Sequence, residues 1–204
     1  MRKKAAAHIR KSRDRKLGDR GETFATLVTV TSAAGLRWEE VGALRMNDLD
    51  FKVSTIRVDE ALDRLQKIGP CKNVMAYRTV LLLDPECKQA MGVLRKFVGK
   101  RIQNSEELVF CTSEGNPLQA SQVLREALHP ALQALGLPQD GFRPFRRGCN
   151  RRWELAGMNP AIQRQMMGHS DAEMTYHYTG EISQAEVPKS ISKLLETMET
   201  DKAA

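Results

Sequence analysis

Apolar residues recur every three or four positions over most of the chain, and that spacing predicts a mainly helical protein. Residues 22–35, ETFATLVTVTSAAG, set Phe24, Leu27 and Val28 on one face, and Gly35 closes the helix. A second, shorter helix is predicted from Arg37, with Val41 and Leu44 turned inward. Two stretches change rhythm. LDFKVSTIRVDEA (49–61) and YRTVLLL (77–83) alternate apolar and polar residues, which predicts strands burying Phe51, Ile56, Val58, Val80 and Leu82. Between them, Gly69-Pro70 predicts a loop or hairpin tip.

Helical spacing returns at Asp84, with Pro85 suited to the first helical position. Residues 107–118 predict a short extended piece with a turn at Gly115-Asn116-Pro117, and 121–136 an amphipathic helix ended by Gly136. Asn159 is placed to cap a helix running through Met167, and Ser170 with Glu173 has capping-box spacing for another. Val187, Ile191, Leu194, Leu195 and Met198 form a last apolar stripe. The pattern as a whole predicts a mainly α domain with one small antiparallel sheet.

Composition narrows the classes. The chain of 204 residues suits one sizeable domain, and no apolar run approaches the ~18 residues of a membrane span. The basic N-terminus lacks the apolar core of a signal peptide. Cys71, Cys87, Cys111 and Cys149 are scattered without metal-ligand spacing, so reduced thiols and no zinc are expected.

Charge then singles out two places. Nine bases and two acids in the first twenty residues carry the whole net +7, and the remaining bases and acids balance. That leader predicts a flexible arm or linker able to lie on a phosphate backbone, or else a solubilising tail. The other place is GFRPFRRGCNRRW (141–153), with five arginines and no acid, mixed with Phe142, Phe145, Cys149 and Trp153.

Phosphate loops, nucleophile elbows and paired metal histidines are absent from the sequence. His8 lies in the basic leader and His129 within an amphipathic helix. What remains suits a phosphodiester. Guanidiniums can clamp its non-bridging oxygens, a tyrosine can attack in line, and a proton donor can meet the leaving oxygen. Nearby fixed positive charge would lower the tyrosine's ordinary pKa of about 10.

Four segments carry a resemblance. SAAGLRWEEVGALRMNDLD resembles the first arginine box of the tyrosine recombinases, the phage-integrase family. CKNVMAYRTVLLL resembles that family's hairpin lysine and R-x-V-x-L strand, and FRPFRRGCNRRW its second box, normally H-x-x-R-H. MMGHSDAEMTYHYTG is similar to its terminal G-H-S…Y box. The order and spacing of the four, over about residues 22–182, identify the chain as a member.

The resemblance implies the tyrosine recombinase catalytic-domain fold, of the DNA breaking-rejoining enzyme type. It implies residues 1–21 as arm or linker, 22–182 as catalytic domain, and 183–204 as C-terminal helix and tail, exchanged between protomers or packed on its own domain. By resemblance, Arg37 and Arg146 clamp phosphate, Lys72 is the general acid with Lys67 as rival, and His169 bonds the scissile phosphate. Tyr178 is the nucleophile, with Tyr176 as its rival, and Glu40 buttresses Arg37. Arg143 stands where the family usually has histidine; it can donate hydrogen bonds but cannot accept a proton. Arg147, Arg151 and Arg152 are expected to contact DNA.

The implied activity is site-specific recombination, integration or excision, through a 3′-phosphotyrosine, with no metal, nucleotide or other cofactor. The alternatives are an impaired DNA-binding relic or modulator, and a type IB topoisomerase. The implied partner is double-stranded DNA, bound as a homotetramer that is monomeric when free. A cytoplasmic, prokaryotic or mobile-element setting follows from the resemblance, as does a missing N-terminal DNA-clamping domain.

Overall fold

A computed structural model describes residues 2–11, 19–72, 74–101 and 107–168. The expected roles of His169, Tyr176 and Tyr178, the Ser170–Glu173 cap and the stripe from Val187 to Met198 lie outside those residues.

Helix α2 (Asp19–Ala34) is the centre of the domain, packed against α1 (Arg2–Lys11), α4 (Pro85–Arg101) and α7 (Arg143–Leu155). A single apolar face is expected for it. Burial instead runs nearly all round: Phe24, Leu27 and Val28 are covered, and so are Thr26 and Thr31. The Thr31 hydroxyl avoids an unmet bond by donating to Leu27 O at 2.8 Å. Alternating threonines with small residues is what lets three helices approach one.

The leader departs from the flexible arm expected of it. Its first part is helix α1, with Ala5, Ala6 and Ile9 buried against α2 and α6 (His129–Ala134). The charge count hid a short apolar stripe in AAAHI, made of residues that favour helix.

The sheet is antiparallel in the order β1 (Leu49–Asp50), β2 (Thr55–Val58), β5 (Arg78–Leu81), with Ile56 opposite Val80 and Val58 opposite Arg78. Ile56, Val58, Val80 and Leu82 are buried as expected. Phe51 is only half-buried, and Arg95 stacks over its ring at 5.2 Å. Beyond the sheet, β3 (Glu60–Leu62) and β4 (Ile68–Pro70) form a separate hairpin. Gly69 and Pro70 therefore lie in a strand, not at its tip. The turn is made one step earlier, where Asp63 Oδ1 accepts from the backbone of Leu65 and Lys67 and Gln66 takes a positive φ. Pro70 is tolerated because this strand has one neighbour only.

The remaining helices follow their signals. Asp84 Oδ1 accepts from Cys87 N at the start of α4, and Asn159 caps α8 (Pro160–Met167) by accepting from Ala161 N at 2.9 Å. The helix predicted over 121–136 is broken into α5 (Ala120–Val123), a π-helical turn (Leu124–Leu128) and α6, with Gly136 at φ +65° after it.

Candidate active site: an arginine cradle at the end of α8

Four local choices in the sequence build the site. Gly35 ends α2 at φ +65°, and a Cβ there would sit 2.8 Å from the Met167 methyl and 3.2 Å from Cys149 Sγ. Glycine is thus required both by the backbone and by space. The chain then turns at once into α3 (Trp38–Gly42), which puts Arg37 at the helix start and Glu40 one turn on. Strand β5 begins with Arg78, on the same inward side as Val80. Finally α8 ends at Gly168, φ +64°, where a Cβ would meet Arg78 Nη1 at 2.9 Å.

Three guanidiniums converge there. Arg37 donates to Glu40 Oε1 and to Gly168 O, each at 2.6 Å. Arg146, from the first turn of α7, donates to Gly35 O at 2.6 Å and to Met167 O. Arg78 donates from Nε to Met166 O at 2.7 Å and forks onto both Glu40 oxygens at 2.9 and 2.8 Å. Glu40 Oε2 also accepts from the backbone N–H of Arg37. The arginines thereby satisfy carbonyls at the ends of two helices that would otherwise lack partners.

Electrostatics shows what the cradle lacks. Burial of Glu40 would raise its pKa, but the hydrogen bonds and charge of Arg78, with those of Arg37, hold it at about 2. Arg146 is pushed the other way, down to about 10, by burial and by the like charges of Arg37 and Arg78. It stays cationic at neutral pH, at a cost. One carboxylate against three guanidiniums leaves an excess of two positive charges facing carbonyl oxygens. An anion with several acceptor oxygens would complete it.

The N-terminus of α7 adds to this field. Trp38 stacks on Phe142 at 4.6 Å between ring centroids, tying the start of α3 to the start of α7, so that Arg37 and Arg143 lead off from joined elements. Arg143 is exposed and has no hydrogen-bond or ion-pair partner among the described residues. Lys72 is exposed and also unpaired among them. Its neighbour Cys71 is buried, and its thiol is pushed up by burial and then by the charge of Glu40, with Arg78 and Arg37 opposing. The chain after Lys72 reaches the cradle at Ala76, whose carbonyl accepts from Arg78 Nη1 at 3.1 Å, whereas Lys67 precedes the first residue of β4.

The arginine-rich stretch divides by partner. Arg151 is exposed and pairs with Glu154 at 2.8 Å, and Arg147 is exposed with Asp140 at 3.7 Å. Both remain on the surface, where a phosphate could reach them. Arg152 departs from the DNA contact expected of it. Its side chain is 12% exposed and bonds Glu86, Asp84 and Ala33 O, bracing the start of α4 and the end of α2. The acids missing from the stretch itself come from elsewhere in the chain.

Arg78 is the residue that sequence reasoning missed, having entered only as the unnamed first position of the R-x-V-x-L strand. The available signal was a cation on the inward alternation of a strand, which demands a buried partner.

The phage integrase family matches residues 8–184. Prophage integrase IntR of Escherichia coli K12 is 27% identical over 170 residues, covering 72% of this chain and 40% of that protein. The chain thus spans about two fifths of that relative's length. Among solved structures, the Tn1549 transposon integrase in complex with transposon right end DNA aligns with a TM-score of 0.62 at 19% identity, over 92% of this chain and 63% of that one. XerA recombinase aligns with a TM-score of 0.59 at 16% identity, over 93% and 61%. At these identities the likeness is one of fold.

Proposed function

The chain belongs to the phage integrase family, and from that premise we propose that it breaks and rejoins DNA at specific sites through a covalent tyrosine intermediate. Its fold is that of tyrosine recombinase catalytic domains, mostly helical with small antiparallel sheets. The observation that carries the proposal is the cationic excess of the cradle, gathered on the turn that runs directly into His169.

In this reading Arg37 and Arg146 bind the non-bridging oxygens of the scissile phosphate and stabilise the charge that grows on them in the transition state. Arg143 adds a donor where a histidine is usual. The Tyr178 phenolate oxygen attacks phosphorus, the bond to the 5′-oxygen breaks, and Lys72 gives that oxygen its proton. The strand is left as a 3′-phosphotyrosine with a free 5′-hydroxyl. Attack by a partner strand's 5′-hydroxyl then releases the tyrosine and reseals the backbone. The phenolic proton leaves to water, because no guanidinium beside it can take one. His169 bonds the phosphate, Glu40 sets Arg37, and Arg147 and Arg151 meet flanking phosphates. Double-stranded DNA is the partner, with four copies assembling on it.

Covalent trapping tests this. The protein would be incubated with duplexes bearing nicked or sulfur-bridged scissile positions and run on a denaturing gel. An adduct lost in Tyr178→Phe and kept in Tyr176→Phe is expected; an adduct that survives Tyr178→Phe sinks the assignment. Arg143 favours one rival, a chain that grips DNA without turnover. An adduct seen only in Arg143→His would select that rival.

A further inference from the structure

One buried guanidinium bonds three segments that carry, or lead into, groups to which the proposed chemistry is assigned. Arg78 is 2% exposed in its side chain. Its fork holds Glu40, which in turn holds Arg37. Its Nε holds Met166 O, in the last turn of α8, two residues before the chain enters the segment of His169. Its Nη1 also donates to Ala76 O at 3.1 Å, in the short turn Val74–Ala76 that leads back to Lys72. Gly168 lies so close to it that a single added carbon would collide with the guanidinium.

Four of the five donors of the side chain are thus directed, in one plane, at three different segments. Lysine offers no such plane and no fork. Nor is stability a sufficient reason for the arrangement, since a buried ion pair gives little net advantage over apolar residues of like volume.

We propose that Arg78 is a positioning residue, locking the Lys72 loop, the Arg37–Glu40 pair and the end of α8 into one unit so that the cleavage groups hold a common register. The inference rests on the recombinase reading above. It assigns Arg78 no contact with DNA; the residue acts through the groups it holds.

Arg78→Lys keeps the charge opposite Glu40 but loses the fork and the bond to Met166. Two measurements on the full chain decide. In hydrogen exchange, the amides of residues 74–77 and 163–168 are expected to lose protection together while the rest of the domain stays unchanged. In adduct formation, the rate on an ordinary duplex is expected to fall at least tenfold with DNA affinity unchanged. A duplex with sulfur in place of the 5′-oxygen recovers part of the loss, because a thiolate leaves without a proton from Lys72. Unchanged adduct rates on both duplexes, or exchange rising evenly over the domain, would overturn the inference.

Should Arg78→Lys not fold, the double variant Glu40→Met, Arg78→Met removes both charges at once, and a wild-type adduct rate in it would equally overturn the inference. A wild-type chain that forms no adduct at all sinks the recombinase reading instead, and the exchange pattern still decides whether Arg78 couples the three segments.

Discussion

Arg146 and Arg152 are less than two turns apart on α7, both turned from solvent, and they have opposite fortunes. Burial lowers the pKa of each. For Arg152 that effect is outweighed by the neighbouring Cys149 and Asp84, with Cys87 and Glu86, and its pKa rises. For Arg146 burial is joined by the like charges of Arg37 and Arg78, Glu40 opposes only in part, and its pKa falls to about 10. One guanidinium has found its counter-charge within the fold, while the other waits for one from outside. Residue type and burial do not separate a structural cation from a binding cation; the local charge balance does.

That contrast can be broken by substitution. Arg146→Met should cut adduct formation by about 10²–10³, the usual loss when one preorganised stabiliser of transition-state charge is removed. The melting temperature should fall by no more than roughly 3 °C, because removing a cation of depressed pKa offsets part of the loss of its bonds to Gly35 O and Met167 O. A collapse in stability would show that Arg146 is structural after all.

Arg152→Met should do the reverse. Stripping the cation from buried Asp84 costs about 3 kcal/mol, or roughly 6–12 °C in melting temperature. Turnover per folded molecule should not change. Normal stability joined to weakened DNA binding would restore the DNA role expected from the sequence.

Glu40, the one acid in the cradle, sharpens the contrast through pH. Its folded pKa of about 2 lies below its ordinary 4.5, so its ionisation stabilises the fold above pH 4.5. That contribution, on the order of 3 kcal/mol, is lost as pH falls from 4.5 towards 2. Glu40→Gln should flatten the stability profile across that window. Equal slopes in variant and wild type would mean that the Arg78–Glu40 bonds do not shape the titration.

The smallest effect expected is the most direct. Sulfate at about ten times its dissociation constant should stabilise the wild type by about 1.4 kcal/mol, or roughly 3–6 °C, beyond its general salting effect. Arg146→Met should show the general effect only. Equal shifts in the two proteins would place the anion elsewhere.

Much of this was legible. The period of the apolar residues placed α2, α4 and α8, and the alternation in TIRV and RTVL placed β2 and β5. Arg37, Glu40 and Arg146 could be named from the boxes in which they stand, and the structure brings the three together at the end of α8. The helix in the leader was hidden by its lysines. The β3–β4 hairpin was hidden by Gly69-Pro70, a pair that signals a turn except on a strand with a free edge. Arg78 was the omission, and Arg152 the residue given the wrong role. Their roles depend on Glu40, Asp84 and Glu86, which lie 38, 68 and 66 residues away and give no sign in the local pattern.

The sequence by itself determined the elements, the two glycines that must end α2 and α8, and the supply of cations, since these follow from local backbone and side-chain chemistry. Only the tertiary structure decided which cation is satisfied. Counter-charges reach Arg152 from α4 and its cap, and Arg146 only from a Glu40 already bonded to Arg37 and Arg78, because packing fixes which distant carboxylates come within a few ångströms, and Coulomb's law acts on that distance.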